Sequence, residues 1–209
     1  MSLLANDDLL AAASQPDPDR RFGGLRRLHG AAAYERLRAA RVAVVGVGGV
    51  GSWTAEALAR SGVAKLVLID LDNIAESNIN RQIHALESTL GQAKVHALQA
   101  RIALINPECE VVAIEEFVDE ANVADLLQAE QLDGVIDCCD QVRAKAAMAA
   151  WAATHHKPVV TVGAAGRVRA WPPWPRASQR QTWWWALKAG MKGNHSWWRE
   201  VQPWSMTMG

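Results

Sequence analysis

The sequence predicts an α/β protein, a Rossmann-type, mostly parallel sheet flanked by helices, with an aberrant Trp-rich C-terminal tail beyond it. Three observations predict this. Short β-branched runs alternate with longer helical patterns from Arg41 onward. The first run leads into Gly46-Val47-Gly48-Gly49-Val50-Gly51, a glycine turn of the kind that joins a strand to a helix. Both periodicities stop at Gly166.

In chain order, residues 1 to 19 end in Ser14-Gln15-Pro16-Asp17-Pro18-Asp19 and read as a polar, proline-broken arm. Strands are expected at Arg41 to Val45, Lys65 to Asp70, Glu110 to Ile114, Gly134 to Asp137 and Pro158 to Val162. The first crossover helix should run from Val50 to Ser61, with Gly62 as a left-handed cap. Leu98, Ile102 and Ile105 share one helix face, and Asn106-Pro107 stops that helix. Residues 20 to 166 are therefore expected to form one α/β domain. From 167 to 209 the chain holds eight of its ten tryptophans, among Arg, Pro and Gly, with neither a strand nor a helix period. That composition supports no packed core and reads as a non-native or disordered tail.

The chain has 22 basic and 22 acidic residues, a balance that argues against retention on nucleic acid or lipid by bulk charge. The balance is uneven, because residues 167 to 209 hold seven Lys/Arg and one acidic residue. Three cysteines offer neither a disulfide framework nor a CxxC zinc pair, which fits a reducing cytoplasm. With no long apolar run, no stable membrane insertion is expected.

The glycines Gly46, Gly48, Gly49 and Gly51 suit a phosphate-facing turn, where backbone N–H groups at a helix start meet an anion. That turn alone does not separate NAD from ATP. Asp70 ends the second strand 19 residues after Gly51, where an acid accepts from a ribose hydroxyl, and Asp72 follows. Ser77-Asn78-Ile79-Asn80-Arg81-Gln82 is a polar loop with one fixed cation, and Lys94 lies thirteen residues after Arg81. Such cations suit a triphosphate, since attack at its α-phosphorus by a carboxylate joins two anions. Asp140, past the fourth strand, suits either Mg2+ or the N-cap of the next helix. Cys138 and Cys139 read as strand-end packing residues, and His84 as a packed loop histidine.

These motifs, in this order, resemble the adenylyltransferases related to ubiquitin-activating enzymes. Within them the sequence is most similar to the tRNA threonylcarbamoyladenosine dehydratases, through Arg21-Phe22-Gly23-Gly24, Asn78-Ile79-Asn80-Arg81-Gln82-Ile83-His84-Ala85-Leu86, Ile105-Asn106-Pro107-Glu108-Cys109 and Gly163-Ala164-Ala165-Gly166. The resemblance covers residues 20 to 166. It implies ATP and Mg2+ as cofactors, with Gly48 and its neighbours, Asn78, Asn80 and Gln82 lining the nucleotide. Asp70 would meet the ribose, Arg81 and Lys94 the phosphates, and Asp140 the Mg2+. Arg21 matches an arginine that reaches into the partner's site of a homodimer. The implied reaction is an ATP-driven cyclising dehydration of threonylcarbamoyladenosine in tRNA, through a carboxyl adenylate. A second reading replaces the tRNA with a sulfur-carrier protein. A third is an inactive nucleotide-binding remnant.

Overall fold

The computed structural model describes residues 16–162, all within one compact unit. The expectations for residues 1–15 and for the Trp-rich segment lie outside the described residues. Five strands, β1 (Arg41–Val45), β2 (Lys65–Ile69), β3 (Glu110–Ile114), β4 (Gly134–Asp137) and β5 (Val159–Thr161), form one sheet in the order β3-β2-β1-β4-β5. Every pairing is parallel.

The central strands are apolar on both faces, as a sheet covered on both sides requires. Val44, Leu66 and Leu68 pack with Ala55 and Ala59 of α3 (Gly51–Arg60) and with Leu98 and Ile102 of α4 (Lys94–Ile105). Ala43, Val45, Val67 and Ile69 face the other way, onto Leu127 of α5 (Val123–Gln128) and onto Met148 and Trp151 of α6 (Val142–Thr154). The alternation follows from the two-residue period of a strand.

The N-terminal region folds earlier than its composition suggests. Helix α1 (Pro18–His29) begins inside the segment expected as an arm, because Asp17 caps it by accepting from the N–H groups of Asp19 and Arg20. Pro18 occupies the first helical position, where its missing N–H costs nothing. Helix α2 (Ala31–Ala39) follows across Gly30. Phe22 is buried against Gly62, whose φ of +78° bears out the left-handed cap, and a Cβ at Gly62 would lie 2.9 Å from the Phe22 ring. Arg38 stacks on that ring, donates to the Gly62 carbonyl and pairs with Glu108 at 2.9 Å. The helical hairpin is thereby fixed at the edge of the sheet where the strands begin.

Strand order reverses between β1 and β4, leaving a crevice at their carboxyl ends. Open α/β sheets bind ligands at such a switch point. The glycine turn follows β1 and the Asp137-to-Asp140 turn follows β4, so both open onto this crevice. No helix among the described residues is long and apolar enough to cross a membrane.

Candidate active site

The glycine turn is held in place by three close approaches. Gly46 has φ +81°, and a Cβ there would lie 2.8 Å from the backbone nitrogen of Cys139. A Cβ on Gly51 would lie 1.8 Å from the Gly46 carbonyl oxygen, so the turn closes only without side chains at both positions. The N–H of Val47 donates to Asp70 Oδ2 at 2.8 Å. Among the described residues, the N–H groups of Gly48, Gly49 and Val50 have no backbone acceptor. They stand at the start of α3, where such donors and the helix dipole favour an anion.

The Ser77-to-Gln82 loop lies across this turn. A Cβ at position 49 would come within 3.3 Å of Arg81 Cγ and Cδ and would have to displace that side chain, and Gln82 Nε2 lies 3.8 Å from the corresponding point on Gly48. Arg81 donates through Nη1 to Ser77 O and to Asn80 Oδ1, both at 2.9 Å, and its side chain remains exposed. Its carbonyl accepts from Trp53 Nε1 at 2.9 Å. Asn78 faces inward: its Oδ1 accepts from the Ala75 N–H, and its carbonyl accepts from the N–H groups of Arg81 and Gln82. Gln82 is buried, with Oε1 lacking a partner in the described structure.

His84 is 1% exposed and neither ring nitrogen has a partner among the described residues, in line with the expected packed loop histidine. Burial, aided by Lys94 and Arg101, lowers its pKa to about 4 and keeps the ring neutral near pH 7.

Asp70 accepts from Val47 N with one oxygen and from Asp72 N, at 2.9 Å, with the other. Each oxygen keeps a further lone pair. Lys94 is buried at the start of α4; its Nζ lies 2.6 Å from Asp72 Oδ2 and 4.0 Å from Asp70 Oδ1.

Asp140 is exposed and makes no hydrogen bond among the described residues. Gln141 takes the cap position of α6 without a side-chain bond, so the N-cap alternative for Asp140 is not the one adopted. The Cys139 thiol is pushed up to about 12 by burial and by the Asp137 carboxylate, and burial raises that of Cys138. Both are protonated at neutral pH and serve as packing groups. No cluster of three metal-ligating side chains occurs among the described residues. One carboxylate is nonetheless a sufficient protein share for Mg2+ held mainly by phosphate oxygens and water.

The ThiF family profile matches residues 20–172. The chain belongs to the ThiF family. That match runs six residues past Gly166. Among curated ThiF relatives, the tRNA threonylcarbamoyladenosine dehydratase of Haemophilus influenzae is 45% identical over 148 residues, covering 71% of this chain and 56% of that protein. The Bacillus subtilis protein of the same name is 51% identical over 113 residues, covering 54% of this chain and 44% of that protein. The structure of Escherichia coli tRNA N6-threonylcarbamoyladenosine dehydratase, TcdA, in complex with ATP superposes with a TM-score of 0.68 at 47% identity, over 71% of this chain and 60% of that one. This ThiF chain thus spans about half the length of the curated relatives it matches.

The fold brings Gly46, Gly48, Gly49, Gly51, Asp70, Asp72, Asn80, Arg81, Gln82, Lys94 and Asp140 to one edge of the sheet, with Asn78 bonded within the Arg81 loop. Arg21 is not among them. Its Nη1 donates to the Ile105 carbonyl at 2.7 Å, at the far end of α4 from Lys94. Twelve helical residues separate those ends by roughly 17 Å. Two side chains escaped the sequence reading. Trp53 ties α3 to the Arg81 loop, and Lys145 of α6 pairs with the fully buried Asp137. An acid closing an otherwise apolar strand was the available signal for the second, because such a charge requires a partner.

Proposed function

We propose that this chain carries the ATP-binding, adenylate-forming part of a tRNA threonylcarbamoyladenosine dehydratase. The supporting observation is the convergence on one crevice of uncommitted N–H groups at Gly48 to Val50 with Arg81, Lys94, Asp70 and Asp140. Relatives 45% and 51% identical to parts of this chain carry that enzyme's name, and the Escherichia coli enzyme is described in complex with ATP.

The glycine turn and the start of α3 hold phosphate oxygens. Asp70, fixed by Val47 and Asp72, offers its remaining lone pairs to the ribose hydroxyls. The substrate carboxylate oxygen bonds to the α-phosphorus as the bond to the bridging oxygen breaks and pyrophosphate departs. Arg81 and Lys94 offset the charge on that leaving group. Asp140 would hold Mg2+, which when bound would supply positive charge against the phosphate oxygens. The adenylate then makes AMP the leaving group when internal attack closes the ring, with net loss of water.

Arg21 lies at the opposite edge of its own chain, and its likeness to the family arginine that reaches into a partner's site supports a role in the site of a second copy in a homodimer. The reading is tested by incubating the full chain with ATP, Mg2+ and tRNA bearing threonylcarbamoyladenosine. Equal yields of AMP and pyrophosphate, and a nucleoside lighter by one water in mass spectra, are expected. AMP formation that requires a sulfur-carrier protein and ignores the modified tRNA would replace this reading with the carrier-adenylating one.

A further inference from the structure

We infer that Lys145 and Asp137 form a strut that sets the position of Asp140, making them positioning residues for the metal-facing side of the crevice. The inference rests on the reading of Asp140 given above. Asp137 is wholly buried at the end of β4. Its Oδ1 accepts from the Cys139 N–H at 3.2 Å and from Cys139 Sγ at 3.0 Å, while Oδ2 accepts from Lys145 Nζ at 2.9 Å. The same ammonium donates to the Val162 carbonyl at 2.8 Å, and the Val162 N–H returns to the Asp137 carbonyl at 2.8 Å. One cation therefore joins the end of β4, the residue after β5 and the first turns of α6.

The strut acts on a turn with little freedom of its own. On its other side the Cys138–Cys139 peptide presses on Gly46, close enough that a Cβ there would overlap it. The N–H of Cys138 is already used by the Val45 carbonyl at 2.8 Å. Cys139 is thus gripped from below by Asp137 and bounded from above by the glycine turn. Asp140 comes next in the chain and has no hydrogen bond among the described residues to hold it. Its placement follows from what holds Cys139. A general packing role would need no charge here; a buried carboxylate that engages both an amide and a lysine fixes direction as well as distance.

The test compares wild type with Lys145→Met and with the double variant Asp137→Asn/Lys145→Met. The double variant leaves no unpaired buried charge, and the amide oxygen introduced at position 137 still accepts from Cys139. Binding of Mn2+ is followed by electron paramagnetic resonance in the presence of α,β-methylene ATP, alongside amide hydrogen exchange of residues 138–141 and metal-free binding of the analogue. The double variant should weaken Mn2+ about tenfold or more and speed exchange in that turn about tenfold, with metal-free nucleotide affinity within about threefold of wild type. A folded double variant with unchanged Mn2+ binding and unchanged exchange overturns the inference. Asp140→Ala separates it from the reading beneath it. If that change leaves Mn2+ binding intact, the metal role of Asp140 fails, and faster exchange in the double variant still supports the strut.

Discussion

Lys94 Nζ sits 2.6 Å from Asp72 Oδ2 while its side chain is almost wholly buried, so the cation beside Asp70 is held in place by the protein itself. Asp72 supplies this restraint from a half-exposed position. Lys94→Ala should lower ATP–pyrophosphate exchange by about 10²–10³-fold, the usual loss when a preorganised charge-stabilising donor is removed. Asp72 left behind is 57% exposed but the Asp70 side chain is only 10% exposed, so the variant should also unfold at a lower temperature, and exchange is measured below that transition. An exchange rate within about a factor of three of wild type would remove Lys94 from the phosphate site.

Gly46 and Gly49 should fail in different ways. Gly46→Ala combines a φ of +81° with a contact to the rigid Cys139 backbone, and should cost about 1–3 kcal/mol of stability in urea titration. Gly49→Ala meets only the Arg81 side chain, which can give way. It should keep its urea midpoint and raise the KM for ATP about tenfold by displacing that guanidinium.

Buried His84 makes stability depend on pH. Its folded pKa of about 4 lies below the ordinary value of 6.5, so between these pH values the unfolded chain binds the additional proton. Stability from this residue is complete above about pH 6.5 and is lost as pH falls toward 4. Between about pH 7 and pH 5 the loss is about 2 kcal/mol. His84→Leu should remove that share of the pH dependence, read as the difference between the two proteins' urea titrations at each pH.

Arg21 and Lys94 should complement one another between chains. Arg21→Ala and Lys94→Ala are each expected to be nearly inactive as homodimers. After unfolding and refolding together in equal amounts, about half the dimers are mixed and each mixed dimer has one intact site, giving about a quarter of wild-type activity. A mixture no more active than its components would place Arg21 outside any site.

The sheet was legible because its strands are short β-branched runs set between helical patterns, and each expected strand falls within a residue of its observed bounds. The glycine turn was legible because backbone closeness leaves a mark in the sequence that side-chain packing does not. The N-terminal hairpin was less so: α1 offers Phe22 as its one buried residue amid charges and glycines, and its docking depends on distant Gly62 and Glu108. Asn78 illustrates a different limit. Its side-chain oxygen accepts from the Ala75 N–H of its own loop, a local role that spacing does not reveal. Residue order also carries no sign of which sheet edge receives a side chain: Arg21 contacts the Ile105 end of α4, and Lys94 stands at the other end.

The contact between Gly46 and the Cys139 peptide makes the two sides of the crevice a single mechanical joint. Changes at position 46 and at positions 137 to 145 should therefore be non-additive in double-mutant cycles, although a long stretch of chain separates them. Tolerance of substitution at either side is then conditional on the other, and these two short turns would have to vary together or not at all.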